Sequence, residues 1–480
     1  MIIDRCKRKK QPLFLAFIDF SKAYDLVPHC YLMKLLKSLG CGAVMLMALV
    51  SMYSLTQFFL GSTIITAALG VKQGSPTSCF LFIVFVDVMI KMVKSVQPDR
   101  FLKWLHILML MDDTVLMASS RERLVEKLQK LVEYCTESGM VINEDKTKFM
   151  VICPASPRDR ESINIGPVTV HHCTEYTYLG VIFTCDGNLS SMLRAHSKSR
   201  KKQMNKLIIF LQANQDAPFS VKKKVVDAAF TSSILYGCEA WLGSKPREMD
   251  SMYLEAIKLL LGVRISTKTD VALLEAGYPS LEAAVHGRQK AFLTKMIRER
   301  QDMTDDPLMF ALELTRQDNK KVNSYIDDVL GSADIIGDDI RQRQQRVRDS
   351  NESKSIAYRN INPELQVHPV YAQDCSTNDS LRMALTRLRT SSHRLRIETG
   401  RWARTPREQR LCSCGVAIQD ERHAIVDCVQ VEHIRNKHHH QSAIDFHTFI
   451  NLMPSTADLC LINDILSFFA DNDNNNNDDG

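Results

Sequence analysis

Near the start of the chain lies the stretch LFLAFIDFSKAYD, residues 13–25. Its first part is a compact apolar run rich in aromatic residues, which predicts a buried strand. The run closes on Asp19, and burying this carboxylate between Phe17 and Phe20 without a cation or a strong donor would be costly. The stretch therefore predicts a strand that leads into a cation ligand. A simple capping role for Asp19 is the alternative.

Length and composition set the class of protein. With 480 residues, of which 45% are hydrophobic, the chain predicts about two to four folded domains. The net charge of +6 permits a polyanionic partner without requiring one. The 14 cysteines are scattered, mostly in apolar surroundings, which is typical of a reducing compartment.

We predict neither a signal peptide nor a membrane-spanning segment. The apolar run that follows Lys10 is too short for a signal peptide. The most apolar stretch, residues 79–90, contains Asp87 and falls below the roughly 20 residues that span a bilayer. We therefore expect an intracellular protein of the cytoplasm, the nucleus or both, without a membrane partner.

The order of predicted elements indicates an α+β layer rather than a doubly wound sheet. After the first strand we predict a helix broken by glycines (residues 32–53), a hairpin (57–69) and a buried helix (79–93). A second hairpin (105–118), an amphipathic helix (121–138) closed by Gly139, and strands at 141–143 and 148–152 follow.

Three carboxylates in this layer predict metal chemistry. Asp19 follows the first strand, and Asp112 with Asp113 forms the tip of the second hairpin. Phosphoryl transfer by two metal ions needs carboxylates that converge on the cations, and hard oxygen ligands suit Mg²⁺. Taken alone, an Asp-Asp turn is more often an ordinary polar turn.

Five motifs in order resemble those of one family. They are FIDFSKAYD (17–25), GVKQGSP (70–76), LMDD (110–113), GMVIN followed by KTK (139–148), and YLG (178–180). In this combination the chain resembles the reverse transcriptases of non-LTR (LINE-type) retrotransposons. The resemblance implies a polymerase palm, which is an antiparallel sheet with helices on one face.

The resemblance also implies a role for each matched residue. The catalytic metal ligands would be Asp19, Asp112 and Asp113, which bind Mg²⁺ or Mn²⁺. Lys146 would give a proton or a positive charge to the leaving pyrophosphate, and a solvated turn lysine is the alternative. The nucleotide would be bound by Phe20, Tyr24, Gln73 and Gly74, with Tyr24 as a steric gate against a 2′-hydroxyl. The primer grip would be Tyr178, Leu179 and Gly180.

The remaining segments complete a five-part organisation. Residues 1–189 are predicted as the palm and 190–299 as an all-α thumb or connection. Arg200, Lys201 and Lys202 at its start would contact primer and template phosphates, with a solvated helix face as the alternative. Residues 300–380 read as a polar helical linker, 381–445 as a Cys/His module and 446–480 as a C-terminal segment with a disordered Asn/Asp tail.

The Cys/His module predicts a zinc site. Cys412, Cys414, His423 and Cys428 offer three thiolates and an imidazole, although one residue between the first two is a tighter spacing than usual. Free buried thiols with a surface histidine are the alternative. The preceding segment resembles the approach to the zinc knuckle of these elements, which implies nucleic-acid binding.

The resemblance predicts an RNA-directed DNA polymerase that takes an RNA template, a DNA primer and deoxynucleotide triphosphates. Two departures weaken this prediction. Leu110 and Met111 replace the usual aromatic and small residues, and only 18 residues precede Asp19, so we expect the fingers and an upstream endonuclease to be missing. The alternative is therefore a non-catalytic nucleic-acid-binding remnant. A helical scaffold would leave the five ordered motifs unexplained.

Overall fold

The computed structural model describes residues 1–54, 57–72, 74–97, 102, 105–300, 303, 306–372, 379–439 and 445–475. The fold is α+β, as predicted. The chain forms two compact units, one of Met1–Ala195 with Arg300–Asn323 and one of His196–Glu299 with Ser324–Gly480. The five-part organisation inferred from the sequence stays a prediction.

Strands and helices are interspersed as far as residue 184, and helices dominate the rest of the described chain. The strands are β1 (Leu13–Ile18), β2 (Gln57–Leu60), β3 (Thr63–Thr66), β4 (Ile107–Leu110), β5 (Asp113–Ala118), β6 (Lys148–Ile152), β7 (Ile163–Ile165), β8 (Val168–His172), β9 (Glu175–Tyr178) and β10 (Val181–Thr184). The first helices are α1 (Ile2–Lys9), α2 (His29–Ser38), α3 (Ala43–Ser54), α4 (Pro76–Lys94), α5 (Arg121–Ser138), α6 (Leu189–Ala213), α7 (Phe219–Val225), α8 (Ser232–Ile234), α9 (Arg247–Leu261) and α10 (Thr269–Ala276). They are followed by α11 (Leu281–Arg300), α12 (Pro307–Asp318), α13 (Lys320–Gly331), α14 (Ile335–Asp349), α15 (Ser353–Ile361), α16 (Asp379–Arg389), α17 (Arg396–Trp402), α18 (Glu432–Lys437), α19 (Phe446–Asn451) and α20 (Thr456–Asn475).

The first unit is built on a six-stranded sheet with the order β4-β5-β1-β6-β8-β7. β1 pairs antiparallel with β5 on one side and with β6 on the other. The pair β6–β8 is parallel, so the prediction of an antiparallel sheet was wrong at this edge. The reason is that β7 and β8 form a hairpin, whose second strand returns in the direction of β6.

Both faces of β1 are covered, and all six of its residues are buried. Phe14, Ala16 and Ile18 point to one face, where they pack in a core that includes buried residues of α4 and α5. Leu13, Leu15 and Phe17 point to the other face, where Tyr176, Tyr178 and Phe183 of the β9–β10 hairpin pack against the core. The alternating side chains of one strand thus hold together two layers.

The two principal helices of this core agree with the sequence in different degrees. α5 has the predicted bounds, because Ser120 caps its first turn and Gly139 ends it at a φ of 76°. α4 is longer than predicted, and its length and composition alone would let it cross a membrane. Phe82, Phe85 and other residues of α4 nevertheless pack in the core. A core helix can have the same length and apolar composition as a membrane-spanning helix.

Two further predictions were wrong in part. Residues 141–143 form a single bridge, Ile142 to Phe20, instead of a strand, because they pair with the short segment after β1. Two main-chain hydrogen bonds, from Ser21 N–H to the Val141 carbonyl and from Asn143 N–H to the Asp19 carbonyl, flank this bridge. The Asn/Asp tail continues α20 as far as Asn475, because extending a packed helix costs little per residue. Residues 476–480 lie outside the described part of the chain.

A buried polar network lies within the second unit. Arg389 donates from Nε to Glu275 Oε1 at 2.7 Å and from Nη2 to Oε2 at 3.2 Å. Tyr358 and Tyr371 donate their hydroxyls to the same carboxylate at 2.8 and 3.0 Å. Burial favours the neutral acid, but the charge and hydrogen bonds of Arg389 outweigh burial and hold the pKa of Glu275 below its ordinary value.

Replacing Arg389 by Met should lower the free energy of unfolding by roughly 3–5 kcal/mol, because it leaves the Glu275 carboxylate buried without its cation. The control is Lys245→Met, which removes a cation from an exposed ion pair with Glu282 and should change stability by about 0–1 kcal/mol. Denaturant unfolding followed by circular dichroism measures both changes. Equal unfolding midpoints for the two variants would contradict this account of the network.

Candidate active site

The pairing of β1 with β5 places the predicted carboxylates at one end of the sheet. Ile18 lies opposite Thr114, so the next residues outward are Asp19 on one strand and Asp113 on its neighbour. Asp112 precedes Asp113 in the turn that joins β4 to β5. The structure therefore brings together the three aspartates, although Asp19 and Asp112 are 93 positions apart in the chain.

The turn between β4 and β5 is a tight one. Leu110 pairs with Asp113, which leaves Met111 and Asp112 as its two central residues. Met111 has a φ of 57°, a conformation that side-chain-bearing residues adopt rarely and at a cost of about 1–3 kcal/mol. The turn presents Asp112 and Asp113 at an exposed tip.

The three carboxylates repel one another. Burial, followed by the charges of Asp112 and Asp19, raises the pKa of the Asp113 carboxyl above its ordinary value. Two of the three carboxylates also act on Tyr176, whose pKa is raised first by burial and then by Asp19 and Asp113. Asp19 retains 30% exposure of its side chain, so the group is open to solvent and to cations.

Asp19 is held by the segment that carries the fourth motif. Its main-chain N–H donates to the hydroxyl of Thr147 at 3.1 Å, and its carbonyl accepts from the N–H of Asn143 at 2.8 Å. Lys146 Nζ lies 3.6 Å from Asp19 Oδ2 while its side chain is 68% exposed. The structure thus places Lys146 beside a predicted metal ligand. The buried Thr147 was not predicted, and its position between two lysines of that motif was the only signal for it.

The residues predicted to bind the nucleotide lie in two places. Tyr24 stacks on Phe82 at 4.4 Å between ring centroids, and its hydroxyl lies 3.3 Å from Met111 Sδ. Burial raises the pKa of Tyr24 most, followed by the neighbouring Cys79 and then the charge of Asp112. The contact with Met111, in the same turn as Asp112, places the ring near the carboxylates. Phe20 is buried. Gly74 is exposed with a φ of 84°, just ahead of α4, and Gln73 lies outside the described residues.

The predicted primer grip forms the turn of the β9–β10 hairpin. Tyr178 pairs with Val181, and the intervening Leu179 and Gly180 both have positive φ, at 48° and 75°. The Tyr178 hydroxyl donates to the main-chain oxygen of Asp113 at 3.3 Å. Burial and the Asp113 charge raise the pKa of Tyr178 to about 12, so this hydroxyl remains a donor near neutral pH. The hairpin is therefore bonded to the strand that carries Asp113.

The basic residues predicted to follow the template lie on α6 within the second unit. Lys201 and Lys202 are exposed, while Arg200 is partly buried and its pKa is lowered by burial. This helix supplies positive charge along an exposed face. This face of α6 is a candidate contact surface for nucleic acid.

The four predicted zinc ligands come together in the second unit. Their ligand atoms lie within 4.8 Å of one another, with Cys412 Sγ 3.6 Å from Cys428 Sγ and Cys414 Sγ 3.3 Å from His423 Nε2. The first two cysteines sit on a tight turn. In that turn Cys412 N–H donates to the Ala417 carbonyl at 2.8 Å, and Gly415 has a φ of 74°. Because of this turn, Cys412 and Cys414 both contribute to the same cluster although one residue separates them.

The donor set of this cluster fits a tetrahedral zinc ion. Three sulfurs and one imidazole nitrogen are the ligands of structural zinc sites. Burial raises the pKa of the Cys428 thiol to about 12, and a bound cation would favour the loss of its proton. The amide of Gln419, which was not predicted, donates to Cys412 Sγ at 3.7 Å.

Comparison with known proteins finds similarity to one family and to several relatives. Residues 2–183 match the family described as reverse transcriptase (RNA-dependent DNA polymerase). The chain is 26% identical over 203 residues to the retrovirus-related Pol polyprotein of the type-1 retrotransposable element R2 of Nasonia vitripennis. It is also 26% identical over 204 residues to the Pol polyprotein of the type-2 element R2DM of Drosophila melanogaster.

These matches cover 39% of this chain in each case, and 20% and 19% of the two polyproteins. The matched region thus spans about a fifth of the length of the curated relatives. Among solved structures, telomerase from Candida albicans with a fragment of telomeric RNA aligns over 63% of this chain and 52% of that chain. Its 12% identity and TM-score of 0.24 support no argument. Residues 2–183 thus match the reverse transcriptase family, and the relatives at 26% identity are Pol polyproteins of R2 retrotransposable elements.

Proposed function

We propose that the chain is an RNA-directed DNA polymerase that extends a DNA primer on an RNA template with deoxynucleotide triphosphates. The observation that carries the proposal is the group formed by Asp19, Asp112 and Asp113 on two paired strands. Mutual repulsion among carboxylates at an open site is relieved by divalent cations. The family match of residues 2–183 supports the same reaction.

The residues present fit Mg²⁺ or Mn²⁺. Asp19, Asp112 and Asp113 would hold the ions, because all three offer hard oxygen ligands and remain accessible. When bound, such ions favour attack by the primer 3′-hydroxyl and neutralise the charge of the departing pyrophosphate. In the reaction, the 3′-hydroxyl loses its proton to water and its oxygen bonds to the α-phosphorus of the nucleotide. The bond from that phosphorus to the β-phosphate oxygen breaks, and pyrophosphate leaves.

The protein's own residues would position the reactants. Tyr24, held by Phe82 and Met111, presents a fixed ring that would exclude a 2′-hydroxyl from the sugar site. Gly74 lacks a side chain and would let the main chain approach the nucleotide. Gln73 and Phe20 would also contact the nucleotide. Lys146 would give its proton or its charge to the pyrophosphate oxygen.

We further propose the palm at residues 1–189, a thumb at 190–299, a linker at 300–380, a zinc-knuckle-like module at 381–445 and a C-terminal segment at 446–480. Tyr178, Leu179 and Gly180 would support the primer end. Arg200, Lys201 and Lys202 would contact phosphates. Zn²⁺ would be held by Cys412, Cys414, His423 and Cys428, as their grouping favours. The protein would act within the cell, in the cytoplasm or the nucleus.

Nucleic-acid binding without catalysis is the second candidate function. Leu110 and Met111, which stand in place of the family's usual aromatic and small residues, are both exposed at the carboxylate turn. An aromatic ring at the first position would pack near the primer end, and its loss reduces positioning. Primer extension separates the two candidates.

Asp112→Ala should reduce Mg²⁺-dependent primer extension on an RNA template by at least about 10²–10³-fold, because it removes one of the groups that stabilise charge in the transition state. The matched control is Asp87→Ala, whose carboxylate pairs with Lys91 on the surface of α4 and should leave the rate unchanged. Wild-type protein that binds template and primer but extends no more than Asp112→Ala would rule out the polymerase.

The metal content tests the zinc proposal separately. Elemental analysis of the purified protein should give about one zinc ion per chain, because the described residues form one such group of four ligands. Replacing Cys412 and Cys428 by Ser should remove it, whereas replacing Cys30 and Cys460 by Ser should not. Retention of zinc by the Cys412 and Cys428 variant would place the metal elsewhere.

A further inference from the structure

A tryptophan and several arginines from distant parts of the second unit lie together beside the Cys/His cluster. The Arg264 guanidinium lies over the Trp402 ring, 4.1 Å from its centroid. Trp402 still exposes 52% of its surface. A large aromatic side chain that is stacked on one cation and half exposed is suited to stack on another flat group.

Two more arginines join this group. Arg264 is fixed by its Nη2, which donates to the His393 carbonyl at 2.7 Å, next in the chain to the exposed Arg394. Arg387 donates from Nε to the Gly262 carbonyl at 2.7 Å, close to Arg264 in the chain. Burial first lowers the pKa of Arg264, and repulsion from Arg394 and Arg387 also lowers it, which agrees with their closeness.

Of the nearby charges, Glu398 acts most strongly on Arg264, and Arg394 and Arg387 oppose it. Within the described part of the chain, Arg264, Arg387 and Arg394 form no ion pair with a carboxylate. Glu398, whose charge acts in the opposite direction on the pKa of Arg264, is itself paired with Arg401. Glu421 is paired with His393. Neither acid forms an ion pair with Arg264, Arg387 or Arg394, so these arginines remain available to an anionic partner.

Neighbouring contacts fix the position of Trp402. Trp402 ends α17, and Arg410 crosses this helix at Gly400, where an added Cβ would lie 2.7 Å from Arg410 Cγ. Arg410 donates to the carbonyls of Ile397 and Thr405, so its guanidinium serves the fold.

Gln419 links the same helix to the Cys/His cluster. Its side chain accepts from Arg396 N–H at 2.7 Å and its amide donates to Cys412 Sγ. Its main-chain carbonyl accepts from Ile397 N–H at 3.1 Å. The helix that carries Trp402 is therefore held in place before any ligand binds, which reduces the entropy lost on binding.

We propose that Trp402, with Arg264, Arg387 and Arg394, forms a binding platform for a single strand of nucleic acid. A base stacks on the open part of the Trp402 ring, and the arginines contact the flanking phosphates. A single strand is favoured over a duplex because only unpaired bases offer a free face for stacking. This inference rests on the proposed function in one respect, which is that the partner is a nucleic acid.

The test measures binding of labelled single-stranded RNA and DNA, and of a duplex, by fluorescence anisotropy over a range of salt concentrations. Trp402→Ala should weaken single-strand binding about tenfold with the salt dependence unchanged, because it removes stacking and no charge. Trp402→Phe should recover most of the affinity. Similar losses on RNA and DNA assign the platform to bases and phosphates, and a loss on RNA alone adds the 2′-hydroxyl as a binding group.

The charge contribution is tested with a double variant. Replacing Arg387 and Arg394 by Ala should weaken binding and reduce the slope of log affinity against log salt by about 0.7 for each phosphate that these arginines neutralise. The control replaces Arg298 and Arg422 by Ala, which removes the same charge from arginines already near Glu299 and Asp427. This control should bind as wild type.

Several outcomes would overturn the platform. One is wild-type affinity in Trp402→Ala and in the Arg387 and Arg394 variant, and another is an equal loss on the duplex. A third outcome is that an acidic peptide displaces the nucleic acid while Trp402→Ala leaves the affinity unchanged. That result would assign the arginines to a protein partner and would also reject the platform. Because binding needs no catalysis, the same measurements on Asp112→Ala keep a failure of this inference distinct from a failure of the polymerase.

Discussion

Repulsion among three carboxylates is the constraint on which the rest of the first unit depends. The register of β1 against β5 sets Asp19 beside Asp113, and the tight turn at Met111 adds Asp112. Like charges held together raise the free energy of the protein unless a cation joins them. A fold that keeps such a group at the end of its central strands is arranged for divalent cations.

The surrounding structure holds this arrangement in place. The alternating side chains of β1 fasten it to the helices on one face and to the β9–β10 hairpin on the other. Thr147 bonds the main chain at Asp19, and Tyr178 bonds the main chain at Asp113. Both contacts act on the backbone, so the carboxylates themselves stay available. The second unit contributes an exposed basic helix, a Cys/His cluster and an aromatic platform, which suit a polyanionic partner.

The sequence predicted what depends on local pattern. β6 and α5 begin and end at the expected residues because periodicity and capping are encoded within a few positions. The order of the motifs predicted that Asp19, Asp112 and Asp113 belong to one site. Contacts between distant segments could not be read in this way. Glu275 and Arg389 are 114 positions apart, and Arg264 reaches Trp402 only through the packing of the second unit. The parallel pairing of β8 was missed because it depends on the return of the β7–β8 hairpin.

The pKa of the Asp113 carboxyl, followed by carbon NMR in a pH titration with and without Mg²⁺, tests most directly whether the three aspartates form a metal site. Without the ion, the pKa should lie above the ordinary value for aspartate, because of burial and the charges of Asp112 and Asp19. Saturating Mg²⁺ should lower it, because a bound cation favours the ionised form. An ordinary pKa that Mg²⁺ leaves unchanged would contradict the convergence of the carboxylates on a metal.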